Sequence, residues 1–215
     1  MKLTAVEIRI LGSLIEKEST TPDNYPLSLN ALVAACNQSS NREPVMTLSE
    51  DEVRWAVNNL RQQSLVRAEQ GSGSRVMKYR HLLAERLSLD TSPLGVLCVL
   101  MLRGPQTAGE IRGRTGRLAE LATVADAGAV LQELGAKELV VELARRPGQK
   151  EARWAHLLAG APVMEPGELE TPTPVSDRTP HDDDRVAKLE REVAALRADV
   201  TALRADLDGL LRQFQ

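Results

Sequence analysis

The stretch SEDEVRWAVNNLRQQSLVRAEQGSGSRVMKYRH, residues 49–81, contains the pattern that decides how this chain folds. Ser49 followed three residues later by Glu52 forms a capping box, in which each side chain can bind the other residue's free backbone N–H. A helix is therefore expected to begin here. The apolar residues that follow recur at helical spacing, and they are Val53, Val57 and Leu60. The sequence predicts an amphipathic helix with one buried face and one exposed face.

A hairpin is predicted directly after this helix. Residues 65–69 and 75–80 are strand-like, and the glycines and serines between them supply a turn. Two further helices are predicted upstream, the first beginning at a capping box on Thr4 and the second at Ser28. Three helices followed by a hairpin is the order of a winged helix, a relative of the helix-turn-helix motif.

The same order recurs in the second half of the chain. Capping boxes at Thr107 and Thr123 begin two helices, and two strand-like runs follow. Residues of the two halves correspond in register from the third helix into the hairpin, as Val57 does with Leu131. Such an internal repeat predicts two tandem winged-helix domains, residues 1–85 and 86–160. The fold class expected is α+β and mainly α.

The composition changes after residue 160. Residues 161–184 are rich in Pro, Thr, Glu and Asp, which predicts a disordered linker. Residues 185–215 carry apolar residues in strict alternation of three and four, the pattern of a coiled-coil helix. The predicted dimerisation residues are Val186, Leu189, Val193, Leu196, Val200, Leu203, Leu207 and Leu210.

The order of residue types along this helix favours a parallel homodimer of the chain. β-Branched residues occupy one seam position and leucines the other, as in parallel two-stranded coils. The flanking charges agree, since Arg185 would face Glu190 of the second copy and Glu192 would face Arg197. A helix that folds back onto its own domains, or a higher-order bundle, is the alternative.

Charge and apolar content narrow the classes to which the protein can belong. Residues 1–160 carry 20 Lys and Arg against 18 Asp and Glu, and residues 161–215 carry 7 against 12. A net charge of only +2 on residues 1–160 gives weak electrostatic support for nucleic-acid binding, because that affinity depends on neutralising phosphates.

No apolar run approaches the roughly 18–20 residues that a membrane span needs, and no signal peptide is recognisable. Cys36 and Cys98 lie in apolar helical patterns, as buried reduced thiols do. We therefore expect a cytoplasmic protein without membrane contact.

Several segments of the sequence resemble those of a known family. With TTPDNYPLS at residues 20–28, ACNQ at 35–38 and NREPVM at 41–46, the chain closely resembles the bacterial YceH family over residues 3–160. The resemblance implies a tandem winged-helix fold, and it brings no established activity, ligand or catalytic residue. The chain departs from the family pattern in an Ala-rich stretch at residues 116–128.

Contact residues for nucleic acid or a partner are expected on the third helix and the hairpin of each domain, where winged helices meet DNA. Arg, Asn and Gln can read base edges, and the third helix of the first domain also offers Asn59 and Gln62. The candidate contact residues are Arg42, Arg54, Asn58, Arg61, Arg75, Lys78, Arg80, Arg145, Arg146 and Lys150.

The acidic start of the third helix opposes this interpretation. Glu50, Asp51 and Glu52 stand at the start of the third helix, where phosphate would repel them, although carboxylates there stabilise a helix.

Arg42 lies in an unusual loop before that helix and has two interpretations. It can meet a phosphate or a partner carboxylate, or it can pair with Glu43 or cap carbonyl groups as part of a structural plug.

Catalysis has little support in the sequence. The three histidines fall at the ends of the two predicted hairpins and in the linker, and no familiar catalytic, phosphate-binding or zinc motif occurs. We expect no catalytic residue, no cofactor and no metal site. Two functions remain: a dimeric, transcription-regulator-like protein that binds double-stranded DNA, or a scaffold whose winged helices contact another protein.

Overall fold

The computed structural model describes residues 2–70, 76–145 and 151–161. Within them the fold is α+β and mainly helical, as expected. Apart from Ala161, the predicted linker lies outside the described residues. So do the predicted coiled-coil helix and all of its dimerisation residues, which therefore remain a prediction.

The described part of the chain holds seven α-helices, one 3₁₀ turn at Pro22–Asn24 and five short strands. The helices are α1 Ala5–Thr20, α2 Leu29–Cys36, α3 Glu50–Gln62, α4 Leu83–Leu87, α5 Thr91–Arg103, α6 Ala108–Thr115 and α7 Val124–Ala136. The strands are β1 Leu27–Ser28, β2 Val66–Gln70, β3 Met77–His81, β4 Val140–Glu142 and β5 Trp154–His156.

The predicted helix starts are confirmed. Reciprocal capping boxes begin α1 at Thr4, α3 at Ser49, α6 at Thr107 and α7 at Thr123. At α3 the Glu52 N–H donates to the Ser49 hydroxyl at 3.3 Å, and the Ser49 N–H donates to the Glu52 carboxylate at 2.8 Å. Because each box satisfies backbone N–H groups that have no partner inside the helix, it marks the helix start locally.

The first hairpin is confirmed and gains a strand that the sequence did not predict. β2 and β3 pair antiparallel, with Val66 opposite His81 and Gln70 opposite Met77. The two-residue β1 adds to the other edge of β3, with Leu27 opposite Tyr79. A strand this short has no periodicity to detect.

The second hairpin is shorter than the sequence predicts. β4 and β5 pair over three residues each, with Val140 opposite His156. On the outer edge of β5, Gln106 and Trp154 exchange two backbone hydrogen bonds of 3.0 and 2.7 Å. Helix α4, which follows the first hairpin, was also not predicted from the sequence.

One hydrophobic cluster runs through both halves of the described chain. Its centre is the crossing of α1 and α5, two helices whose middle turns are buried. A Cβ added to Gly12 of α1 would lie 2.8 Å from a methyl carbon of Leu102 in α5, so glycine allows this close approach. The Cys98 thiol of α5 donates to the Gly12 carbonyl across the same crossing at 3.3 Å. Both cysteines are buried and free, as expected.

Candidate contact surface

The outer face of α3 carries mainly polar side chains. The helix is held by its capping box and by a buried face of Val53, Ala56, Val57 and Leu60. Burial of that face turns Arg54, Asn58 and Arg61 outward, spaced by four and three residues so that they follow one line along the helix. These three predicted contact residues are exposed, whereas Asn59 is half-buried.

The two arginines on this face differ in whether a carboxylate already binds them. Arg54 pairs with Glu50, and with Asp51 at 3.5 Å, so the acidic first turn neutralises it. Arg61 donates to the Asn58 side-chain oxygen at 3.3 Å and, within the described chain, has no carboxylate partner. The half of α3 near its C-terminus is therefore the more positive half.

The first hairpin, which follows α3 in the chain, carries further basic side chains. Lys78 and Arg80 of β3 are half-buried, and Arg80 pairs with Glu85 at 3.0 Å. Arg67 on β2, directly opposite Arg80, is exposed and was not predicted as a contact residue. Among the other predicted residues, Arg145 is exposed, while Arg75, Arg146 and Lys150 lie outside the described residues.

The structure corrects the placement of Arg42 among the contact residues. Arg42 is only 4% exposed, and its guanidinium donates to the carbonyl of Ala35 and to the Gln38 side chain. Its charge pairs with Glu16 at 2.6 Å, and not with the exposed Glu43 that was the expected partner. A side chain held inside the protein in this way cannot reach DNA or a partner. Arg42 acts as the structural plug instead.

Arg9 completes this plug. It is buried and donates to the carbonyls of Cys36, at the end of α2, and of Pro44. The C-terminal end of a helix carries partial negative charge, which favours cations beside its last carbonyls. Burial lowers the pKa of the Arg9 guanidinium, and the neighbouring Arg42 lowers that pKa further. The two arginines together fasten the loop that leads into α3.

The most exposed large apolar side chain on α3 was missed at the sequence level. Trp55 is 64% exposed. It lies two residues after Val53, about 200° around the helix from the buried face. That angle was available from the sequence once the buried face had been identified.

The histidine at the end of the first hairpin is fully engaged in local structure. His81 is buried, with its Nε2 2.8 Å from a Glu18 carboxylate oxygen. Its Nδ1 accepts the Leu83 N–H at 3.3 Å, and its backbone N–H donates to the Tyr25 hydroxyl at 2.9 Å. These bonds connect α1, β3 and α4.

The described ranges hold no group of three or more His, Cys, Asp or Glu side chains that could bind a metal ion. None of the helices described combines the length and the apolar character that a membrane span requires.

Comparison with known proteins places the chain in a family. It is 48% identical over 198 residues to the UPF0502 protein VVA1225 of Vibrio vulnificus (strain YJ016), covering 89% of this chain and 90% of that protein. It is 51% identical over 169 residues to a UPF0502 protein of Dechloromonas aromatica (strain RCB), covering 77% and 78% of the two chains.

A solved structure, ScpB from Mycobacterium tuberculosis, shares 19% identity over 73% of this chain and 93% of that chain. The TM-score between the two structures is 0.25. The model of a family described as "Protein of unknown function, DUF480" matches residues 3–149. The expectation of a bacterial family without an established activity is confirmed, while the YceH assignment stays a prediction. The chain belongs to the DUF480 family.

Proposed function

We propose that this chain is a non-catalytic DNA-binding protein built from two tandem winged-helix modules, with α3 as the helix that enters the major groove. The observation that carries the proposal is the exposed line of Arg54, Asn58 and Arg61 on α3, the helix that precedes a hairpin with basic side chains. Arg and Asn are the residue types that bind guanine and adenine edges in the major groove.

The order of elements supports the tandem arrangement. Helices α1, α2 and α3 precede the β2–β3 hairpin, and helices α5, α6 and α7 precede the β4–β5 hairpin. Each hairpin also pairs on its outer edge with a short upstream segment, at Leu27 with Tyr79 and at Gln106 with Trp154. Tyr79 and Trp154 occupy equivalent positions in the sequence repeat.

The two modules would play different roles. The outer face of α7 carries Asp126 and Glu133, and the first cation after them in the sequence, Lys137, pairs with Glu133 at 3.0 Å. Phosphate would repel such a face, so base readout would rest on α3 alone. A parallel homodimer through residues 186–210 would then supply a second α3, as two half-sites require.

The test is the binding of labelled duplex DNA to the full-length protein, measured by fluorescence anisotropy at several salt concentrations. Arg61→Gln should weaken binding about tenfold, the loss expected for one arginine contact, and should reduce the slope of log affinity against log salt. Lys2→Gln, an exposed cation before α1, is the charge-matched control and should leave the affinity unchanged.

The acidic first turn of α3 offers a test in the opposite direction. Glu50→Gln with Asp51→Asn would free Arg54 and remove two negative charges, so DNA affinity should rise. Glu52 stays in place because it forms the capping box. No binding of mixed-sequence duplex DNA at low salt by the intact protein would overturn the proposal.

A second candidate is contact with another protein through the same face, and the exposed Trp55 favours it. Tryptophan is enriched among residues that dominate protein–protein binding energy. Trp55→Ala should abolish such a contact, whereas Arg61→Gln should weaken DNA binding more than partner binding. The Trp55 fluorescence reports on either contact, with Trp154→Phe as the background that removes the other tryptophan.

A further inference from the structure

A basic cleft lies on the described chain away from the outer face of α3. It opens where the end of α1 and the loop after α2 face α5 and α6, and it has a volume of about 230 Å³. Val99, Leu102 and Leu118 supply apolar lining, and the amides of Gln38 and Asn41 supply polar lining.

Cations dominate the lining of this cleft. Four positive side chains reach it, namely Lys17, Arg103, Arg114 and Arg117. The one carboxylate that lines it, Glu16, already binds the buried Arg42 through two hydrogen bonds of 2.6 and 3.1 Å and lies 4.0 Å from Lys17. The cleft therefore keeps an excess of positive side chains, because its one carboxylate already binds Arg42.

Several donors in the cleft have no partner within the described residues. Arg114 and Arg117 are exposed and make no hydrogen bond or ion pair there. Arg103 donates one Nη to the Asn41 side-chain oxygen at 2.8 Å, while its Nε is buried and unsatisfied. The guanidinium groups of Arg114 and Arg117 are therefore free to bind an anionic ligand.

We propose that this cleft binds a small phosphate-bearing anion. The planar guanidinium matches the oxygens of phosphate with two parallel hydrogen bonds, and the cleft holds three guanidinium groups. A cavity of about 150 Å³ takes up benzene, so by proportion the present volume accommodates roughly nine non-hydrogen atoms. Inorganic pyrophosphate has this size and serves as the probe.

The site is independent of the DNA-binding proposal. Its four cations come from α1, α5, α6 and the turn after α6, and none of them lies on α3 or on the β2–β3 hairpin. Pyrophosphate binding can therefore fail while DNA binding succeeds, and the reverse also holds.

The experiment is isothermal titration of the full-length protein with inorganic pyrophosphate at physiological salt, paired with thermal unfolding. Saturable binding and a rise in Tm with ligand concentration are expected, since a ligand that binds the native state stabilises it. The double variant Arg114→Gln, Arg117→Gln should weaken binding at least about tenfold, as expected for the loss of hydrogen bonds to charged groups. Both side chains are exposed, so the unliganded Tm should not change.

Matched controls make the result specific. Arg112→Gln changes an exposed arginine of the same helix that donates to the Ala122 carbonyl outside the cleft, and it should bind like the parent protein. Citrate tests whether any small polyanion suffices. The proposal is overturned by the absence of saturable pyrophosphate binding, by equal affinity for citrate, by equal loss in Arg112→Gln, or by a double variant that loses duplex DNA binding but keeps pyrophosphate.

Discussion

Arg42 and Glu16 form a two-pronged ion pair inside the protein, with Nη2 to Oε2 at 2.6 Å and Nη1 to Oε1 at 3.1 Å. The pair joins the loop after α2 to the last turns of α1. The same guanidinium also donates to the Ala35 carbonyl near the end of α2. One side chain thus fixes the path of the chain between the first two helices and α3.

Arg42→Met should destabilise the protein by about 3–5 kcal/mol, because it leaves the Glu16 carboxylate without its bidentate partner and removes the two Arg42 donors of the Ala35 carbonyl. The free energy of unfolding from urea denaturation measures this effect. Glu43→Gln is the matched control, since Glu43 is the exposed neighbour in the loop and should change stability by less than about 0.5 kcal/mol. Equal stability of Arg42→Met and the parent protein would contradict this account of the loop.

Alanine is expected to have opposite effects on stability at two glycines, one at the close crossing of α1 and α5 and the other in α7. Gly12→Ala would place its methyl 2.8 Å from buried Leu102, so a shift of the packing should cost about 1–3 kcal/mol. Gly128→Ala in α7 meets nothing within 4 Å and should stabilise the protein by up to about 1 kcal/mol through helix propensity. Thermal unfolding of the two variants distinguishes them. A stabilising Gly12→Ala would show that the helices are farther apart than described.

His156 predicts a loss of stability in mild acid. Burial lowers the pKa of its imidazole below the ordinary value of 6.5, and its Nδ1 is buried without a partner among the described residues. The unfolded chain therefore takes up this proton first as the pH falls below about 6.5. The contribution to stability is complete above that pH and declines as the pH falls toward the folded-state pKa.

The matching experiment compares urea midpoints at pH 8, 6.5 and 5. His156→Gln should lose less stability between pH 6.5 and 5 than the parent protein does. His181→Gln, in the segment predicted to be a linker, is the histidine control and should follow the parent curve. Parallel curves for all three proteins would exclude a role for His156.

The two thiols should be unreactive in the native protein. Burial raises the pKa of Cys36 to about 11, and burial also raises the pKa of Cys98. At pH 8 only about a thousandth of Cys36 would be thiolate, which is the reactive form. A coloured disulfide reagent should therefore titrate both thiols rapidly in denaturant and slowly without it. Rapid labelling of the native protein would show that the α1–α5 core opens readily.

The helices were predictable because their signals are local. A capping box needs two residues three positions apart, and all four boxes begin helices where the sequence places them. The exposed line on α3 followed from the same helix, since the buried positions determine the opposite face. β1 could not be predicted, because two residues form a strand only when β3 offers them an edge.

The amino-acid sequence alone specifies where the main helices begin, since helix capping depends on residues only a few positions apart. Whether a given cation faces solvent depends instead on how the helices pack in the tertiary structure. Arg42 and Arg54 look alike in sequence, yet one is enclosed by α1 and α2 and the other is exposed on α3. Lys17, Arg103 and Arg114 share a cleft because helices distant in sequence pack together, and that proximity arises from core packing rather than from any local pattern.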